Sequence, residues 1–149
     1  MRKMLSPLAL LLLMTSCAQD MESPNLKSPT ISSIVWGKTI IEYPDGKTQE
    51  FKDVRLWPDN AQAWNWAKTG TRHKPGTQIA DFQDFFDTID VLVLSQGMDE
   101  LLQIHPDTIE FLKKSGKEFH IAQTEKAVEI YNRLAQSGKK VGALIHSTC

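Results

Sequence analysis

Apolar and polar residues change their spacing repeatedly along this chain, and each change marks a segment. Leu5 to Met14 is a nearly unbroken apolar run, interrupted only by Ser6 and Pro7. Ala18 to Thr30 is polar, holds Pro24 and Pro29, and has no period. Ile34-Val35-Trp36 and Thr39 to Tyr43 are rich in β-branched and aromatic residues, as strands are. Gly37 between them points to a bulge or kink. Pro44-Asp45-Gly46 is a turn signal. Phe51 to Trp57 alternates, with Phe51, Val54 and Leu56 against Lys52, Asp53 and Arg55, and one slip in register. Together these segments predict an antiparallel β-meander at the front of the domain.

Pro58 to Gly76 has no clean period and reads as an ordered, irregular loop, the kind of segment that often carries function. Ile79 to Ile89 then takes helical spacing, with Phe82, Phe85, Phe86 and Ile89 at i, i+3, i+4 and i+7. Asp81, Asp84, Asp87 and Asp90 fall opposite and read as a solvated face rather than a metal site. Val91 to Leu94 is a short continuous apolar run, suited to a strand buried on both faces. Pro106 to Ser115 predicts a helix, with Pro106 in its first turn and Gly116 just past its end. Glu118 to Ala122 predicts a strand. A second helix opens at Thr124 as its cap, carries the stripe Ala127, Ile130, Tyr131 and Leu134, and closes at Gly138. Lys140 to Ile145 predicts a third strand. The back half is therefore β-α-β-α-β, and right-handed crossovers make its strands parallel. The expected class is α/β: one layered domain with a mixed central sheet and the β-meander packed onto or beside it.

The apolar run near the start changes the picture of where this domain resides. Arg2 and Lys3 precede it, and Thr15 and Ser16 lead into Cys17. That is the layout of a secretory leader. At about ten residues the run is half of what a bilayer-spanning helix needs. No Ala-x-Ala site follows; the cysteine sits where bacterial lipoprotein signals put it. The chain thus divides into a leader over 1–16, a lipidated tether over 17–30 and a domain over 31–149. Two or three acyl chains on Cys17 give stable membrane anchoring. Ala18, rather than aspartate, favours the outer membrane under the enteric sorting rule. The rival reading is translation from Met21.

The formal net charge is −1, and it becomes more negative once Arg2 and Lys3 leave with the leader. Lys113-Lys114 and Lys139-Lys140 are pairs at helix ends, where cations favour the dipole. A nucleic-acid partner is disfavoured, because phosphate contacts require a positive stripe. With Cys17 lipidated, Cys149 is left as a lone thiol. It reads as inert unless a positioned partner lowers its pKa, and His146 is near it in sequence.

No dinucleotide fingerprint, P-loop or nucleophile elbow is present, and no cofactor is predicted. His73, His105, His120 and His146 lack metal-ligand spacing, and no metal is predicted. His120 reads as structural and His105 as a helix cap, which leaves His73 and His146 as candidate general bases. Trp64 and Trp66 read as a clamp on the loop rather than a stacking platform. Ligands of parallel sheets sit beyond the strand carboxyl ends. Here these are Ser95 to Met98, Gln123-Thr124 and His146 to Thr148. Because Thr124 opens a helix, this rim is a candidate pocket for a small anion or carboxylate.

Leu56-Trp57-Pro58, Trp64 to Gly76, Val91 to Met98, Gln123 to Ala127 with Tyr131-Asn132, and Val141-Gly142 with His146 to Cys149 carry a family resemblance. Together they resemble the adipogenesis-associated Mth-domain family, over about Ile34 to Cys149. The chain is more distantly similar to the mitochondrial complex I assembly-factor family. The resemblance implies a single α/β domain with a mixed sheet, and a role in assembly, regulation or protein-partner binding rather than a defined enzymatic activity. It points to Trp66, Thr69, Gly70, Thr71, His73, Pro75, Gly97, Gln123, Thr124 and His146 as motif residues. Ser95 stands where relatives often show glycine. The leader sets this chain apart from intracellular relatives. The expected function is a membrane-tethered binding module, with a small-molecule enzyme or sensor as the alternative. Gly97→Arg is expected to remove a partner without unfolding the domain.

Overall fold

A computed structural model describes residues 28–149. The leader, Cys17 and most of the tether lie outside the described residues. Ser28 is buried, and the Tyr131 hydroxyl donates to the Pro29 carbonyl at 2.6 Å. Burial pushes the Tyr131 pKa upward, so the hydroxyl keeps the proton it donates. The fold therefore takes hold a few residues earlier than Ile31.

The front of the domain is β1 (Thr30–Val35), β2 (Lys38–Glu42) and β3 (Thr48–Phe51), an antiparallel three-stranded sheet. Gly37 sits in the tight turn between β1 and β2 rather than in a bulge. The stretch Phe51 to Trp57 is not one strand. It breaks at Lys52-Asp53, and β4 (Val54–Trp57) leaves for a second sheet. The slip in the alternation marked that break. A strand the pattern did not announce, β5 (Asn60–Ala63), pairs with β4 across the two-residue turn Pro58-Asp59. It is an edge strand without large apolar residues, so it carries little periodic signal.

The second sheet has the order β5-β4-β8-β6-β7, with β6 (Val91–Ser95), β7 (Glu118–Ala122) and β8 (Val141–Ile145). β6 pairs in parallel with both β7 and β8, while β4 runs antiparallel to β8. Helices α1 (Pro106–Ser115) and α2 (Thr124–Gln136) make the crossovers. The β-α-β-α-β back half and the mixed central sheet are as the sequence predicts.

Side-chain parity divides the core between the two faces of this sheet. Val91, Val93, Val141, Ala143 and Ile145 face the layer formed by α2, Ile31 and Ile41. Leu92, Leu94 and Leu144 face Phe82, Phe85, Phe86, Ile89 and Leu112. Gly142 makes room for that second layer, since a Cβ there would lie 2.8 Å from Phe85 and 2.9 Å from Ile89.

Ile79 to Ile89 is not an α-helix. It forms two short 3-10 turns, Ile79–Asp81 and Phe86–Thr88, closed by bonds such as Phe82 N to the Ile79 carbonyl. Its aspartates and aromatics are weak helix formers, and the turns still bury all four apolar residues. The tighter winding also moves Asp81 off the solvated face. It is 1% exposed. Asp84 remains outside and forms a bidentate pair with Arg55 at 2.8 and 3.0 Å. The hydrogen bonds from Arg55 hold the Asp84 carboxyl below the usual carboxylate range. The pair therefore stabilises the fold at neutral pH, and its contribution fades as pH falls through the depressed pKa. Acid titration of unfolding is expected to show a shallower loss in Asp84→Asn than in the parent.

Candidate functional site

The break between β3 and β4 has a chemical purpose. It turns Asp53 toward the segment that leaves β8. One carboxylate oxygen accepts from the Ser147 amide at 2.8 Å and from the Ser147 hydroxyl at 3.3 Å. The other lies 2.9 Å from His146 Nδ1. His146 is buried, and its backbone is fixed at both ends. Its amide donates to Ser95 Oγ at 2.7 Å, and its carbonyl accepts from the Thr124 hydroxyl at 2.6 Å. Ser95 thus supplies a contact that a glycine lacks.

His73 arrives from the long loop. Its Nε2 lies 3.3 Å from the Cys149 thiol. The Trp66 ring stands beside both imidazoles, with centroids 5.1 Å from His73 and 4.6 Å from His146. The two imidazole centroids are 5.5 Å apart. The Trp66 indole N–H is buried and has no hydrogen-bond partner among the described residues. Trp66 and the two imidazoles border an open pocket of about 620 Å³, lined also by Lys52, Asp53, Trp64 and Thr148.

The loop is held over the pocket by Asp81. Its carboxylate accepts from Trp64 Nε1 at 3.1 Å, Thr69 Oγ1 at 2.5 Å, the Gln78 amide at 2.8 Å, and the Thr71 hydroxyl. Trp64 is therefore the clamp the sequence suggests, whereas Trp66 is half-buried and faces the pocket. Thr69 and Thr71 support the loop around Gly70 and do not line the pocket.

The rim at the strand ends differs from its sequence reading. Gln123, not Thr124, caps α2. Its side-chain oxygen accepts from the Glu125 and Lys126 amides at 2.9 and 3.3 Å, which leaves those two amides no opening for an anion. Gln123→Ala is expected to cost about 1 kcal/mol of stability, measured by denaturant unfolding. Thr124 is the first helical residue and is fully buried. Gly97 packs directly against the Thr148-Cys149 backbone. It has a positive φ of 87°, and a Cβ would come within 2.4 Å of the Cys149 carbonyl. Gly97→Arg is therefore a change to the fold of this corner, not a surface probe.

Of the sequence candidates, the structure brings Trp66, His73 and His146 to one pocket. Gln123, Thr124 and Gly97 support the strand ends behind it. Asp53 and Cys149 complete the cluster. Asp53 stood at the register slip, which was its one signal. Cys149 pairs most closely with His73, a residue far off in the chain, while nearby His146 also offers a donor within 4.8 Å. His105 caps α1 as expected, its Nδ1 accepting from the Asp107 amide at 3.0 Å.

A mixed sheet of this order, crossed by two helices and bordered by an antiparallel sheet, defines the class as a single layered α/β domain. The chain belongs to the family described as protein of unknown function (DUF498/DUF598), whose model matches residues 35–146. It is similar in structure to a conserved hypothetical protein from Pyrococcus horikoshii OT3. The two are 24% identical with a TM-score of 0.64, over 80% of this chain and 99% of that one. A protein from Bartonella henselae described as an outer membrane protein is 17% identical with a TM-score of 0.62, over 83% of this chain and 98% of its own. A Mth938-like domain protein from Bordetella pertussis is 14% identical with a TM-score of 0.57, over 99% and 92%.

Proposed function

We propose that this chain is an envelope lipoprotein, held to a membrane through acylated Cys17, whose Mth938-like domain binds a protein partner beside the Trp66–His73–His146 pocket. The observation that carries the binding role is an exposed apolar pair next to that pocket. Val35 and Trp36 are 52% and 59% exposed at the β1–β2 turn. The same turn is tied to the pocket wall by a 2.9 Å bond from the Gly37 amide to the Ser147 carbonyl. An exposed tryptophan beside a concave site is a common anchor of protein interfaces. The likeness to the adipogenesis-associated and complex I assembly families supports partner binding over turnover. The envelope address rests on the leader and on the neighbour described as an outer membrane protein. Among the described residues, no helix is long and apolar enough to cross a membrane.

The test is affinity capture from detergent-solubilised membranes, with the tag in the exposed Asp45-Gly46 turn. The parent is expected to be membrane-bound and to retain a partner. Trp36→Ser should lose that partner while melting at the parent temperature, and Cys17→Ser should leave the membrane fraction. A Cys17→Ser chain that stays membrane-bound ends the anchoring proposal. A parent without a partner ends the binding-module reading. It then favours the second reading, a small anionic ligand, for which Lys52 and His73 on the pocket wall are the specific support.

A further inference from the structure

We infer that His73, His146 and Cys149 form a binding site for one thiophilic transition-metal ion, zinc(II) or copper. One donor atom from each of the three lies within 4.8 Å of the other two. A thiolate and an imidazole bound to one tetrahedral ion stand roughly 3.5 Å apart, given metal–sulfur and metal–nitrogen bonds of about 2.3 and 2.0 Å. Cys149 Sγ and His73 Nε2 already stand 3.3 Å apart. The His146 donor lies within 4.8 Å of both, and the less buried His73 and Cys149 side chains are the ones that can close on it.

The surroundings match what such a site requires. A metal-binding histidine characteristically gives its other ring nitrogen to a carboxylate, which fixes the tautomer and raises ligand basicity. Asp53 does this for His146: it takes Nδ1 and leaves Nε2, which stands 3.4 Å from the Thr148 hydroxyl, as the nitrogen for the ion. Asp53 is itself anchored by the Ser147 amide and hydroxyl. The backbone at the other ligand is also tied, because the Cys149 carbonyl accepts from the Leu101 amide at 3.0 Å. Trp66 forms an apolar wall beside both imidazoles, and the open pocket leaves a coordination position for water or an incoming ligand.

The donor set chooses the metal. One thiolate with two imidazoles suits zinc and copper and disfavours magnesium and calcium, which prefer oxygen. A nucleophilic thiol would use the Cys149–His73 pair alone and give the His146–Asp53 pair no part. The three-donor set accounts for all four residues. The inference does not depend on the membrane anchor or on a protein partner.

The test uses untagged full-length protein in detergent, reduced and stripped with chelator. Zinc(II) and copper(I) are titrated separately against chromophoric competitors, and cobalt(II) serves as the spectroscopic probe. The expected result is one equivalent of zinc or copper bound with sub-micromolar affinity, and a thiolate-to-cobalt charge-transfer band. Cys149→Ser should abolish that band. Cys149→Ser and His73→Gln should each weaken binding by more than about 100-fold, and Asp53→Asn by about 10–100-fold. His73 and Cys149 are accessible enough that their variants should keep the parent circular dichroism. Absence of stoichiometric binding in the parent overturns the inference. So does an affinity that Cys149→Ser and His73→Gln leave unchanged in folded protein.

Discussion

Asp81→Ala is expected to destabilise the domain by about 3 kcal/mol or more, because it strands several buried donors at once. The carboxylate accepts from an indole N–H, two threonine hydroxyls and a backbone amide, in a position closed to water. The hydroxyls have some recourse, since Thr69 also reaches the Trp66 carbonyl at 3.3 Å. The Trp64 indole and the Gln78 amide are fixed in direction and have none. A loss of this size lowers the melting temperature of a domain this long by roughly 10 °C. Asp84→Ala is the matched control. It lies three residues away and breaks an ion pair whose carboxylate is 58% exposed, so it should cost less than about 1 kcal/mol. Equal melting of the two variants would refute the network's role. Because the same donors hold the loop that carries Trp66 and His73, Asp81→Ala should also change tryptophan fluorescence before global unfolding.

Gly97→Ala carries the second large effect, through backbone rather than polarity. An alanine pays roughly 1–2 kcal/mol for the left-handed conformation alone. Its Cβ would also meet the Cys149 carbonyl carbon and oxygen, both at 2.4 Å. Rigid backbone cannot yield as a side-chain tip does, so the Thr148-Cys149 segment must move away. Two bonds then weaken: Met98 N to the Thr148 carbonyl at 2.6 Å, and Leu101 N to the Cys149 carbonyl at 3.0 Å. The expected outcome is a total loss of about 2–4 kcal/mol and a Cys149 thiol that reacts faster with a disulfide reagent. A parent-like thiol rate would show that the segment stays in place.

Most of the back half could be read directly from the sequence because its signals are local. The apolar run of β6, Pro106 and Gly116 around α1, and the α2 stripe each follow from residues within one element. The front half was harder. Phe51 to Trp57 alternates well enough to pass for one strand, and only its partners show that it belongs to two sheets. Asn60–Ala63 becomes a strand by pairing with β4, not by its own composition. Ile79 to Ile89 has α-helical spacing, but Asp81 is drawn inward by hydroxyls from the preceding loop, a tertiary effect no window reveals. The site was half visible. Trp66, His73 and His146 stood out as residues. Their meeting with Asp53 and Cys149 depends on chain ends and loops brought together from distant positions, and metal-ligand spacing rules look only along the chain.

The place of β4 in the large sheet has a consequence for how the domain closes. Val54 pairs with Ile145, and Leu56 with Ala143. In chain order β4 therefore comes long before the strand that receives it. Until β8 emerges, β4 has only the short edge hairpin to pair with, and two-stranded hairpins are marginal alone. Closure of the sheet waits for this pairing of strands distant in the chain, which is slow. This delay leaves an unpaired edge open to aggregation. A chaperone that covers β4 until β8 has paired is therefore expected to raise the refolding yield of this domain.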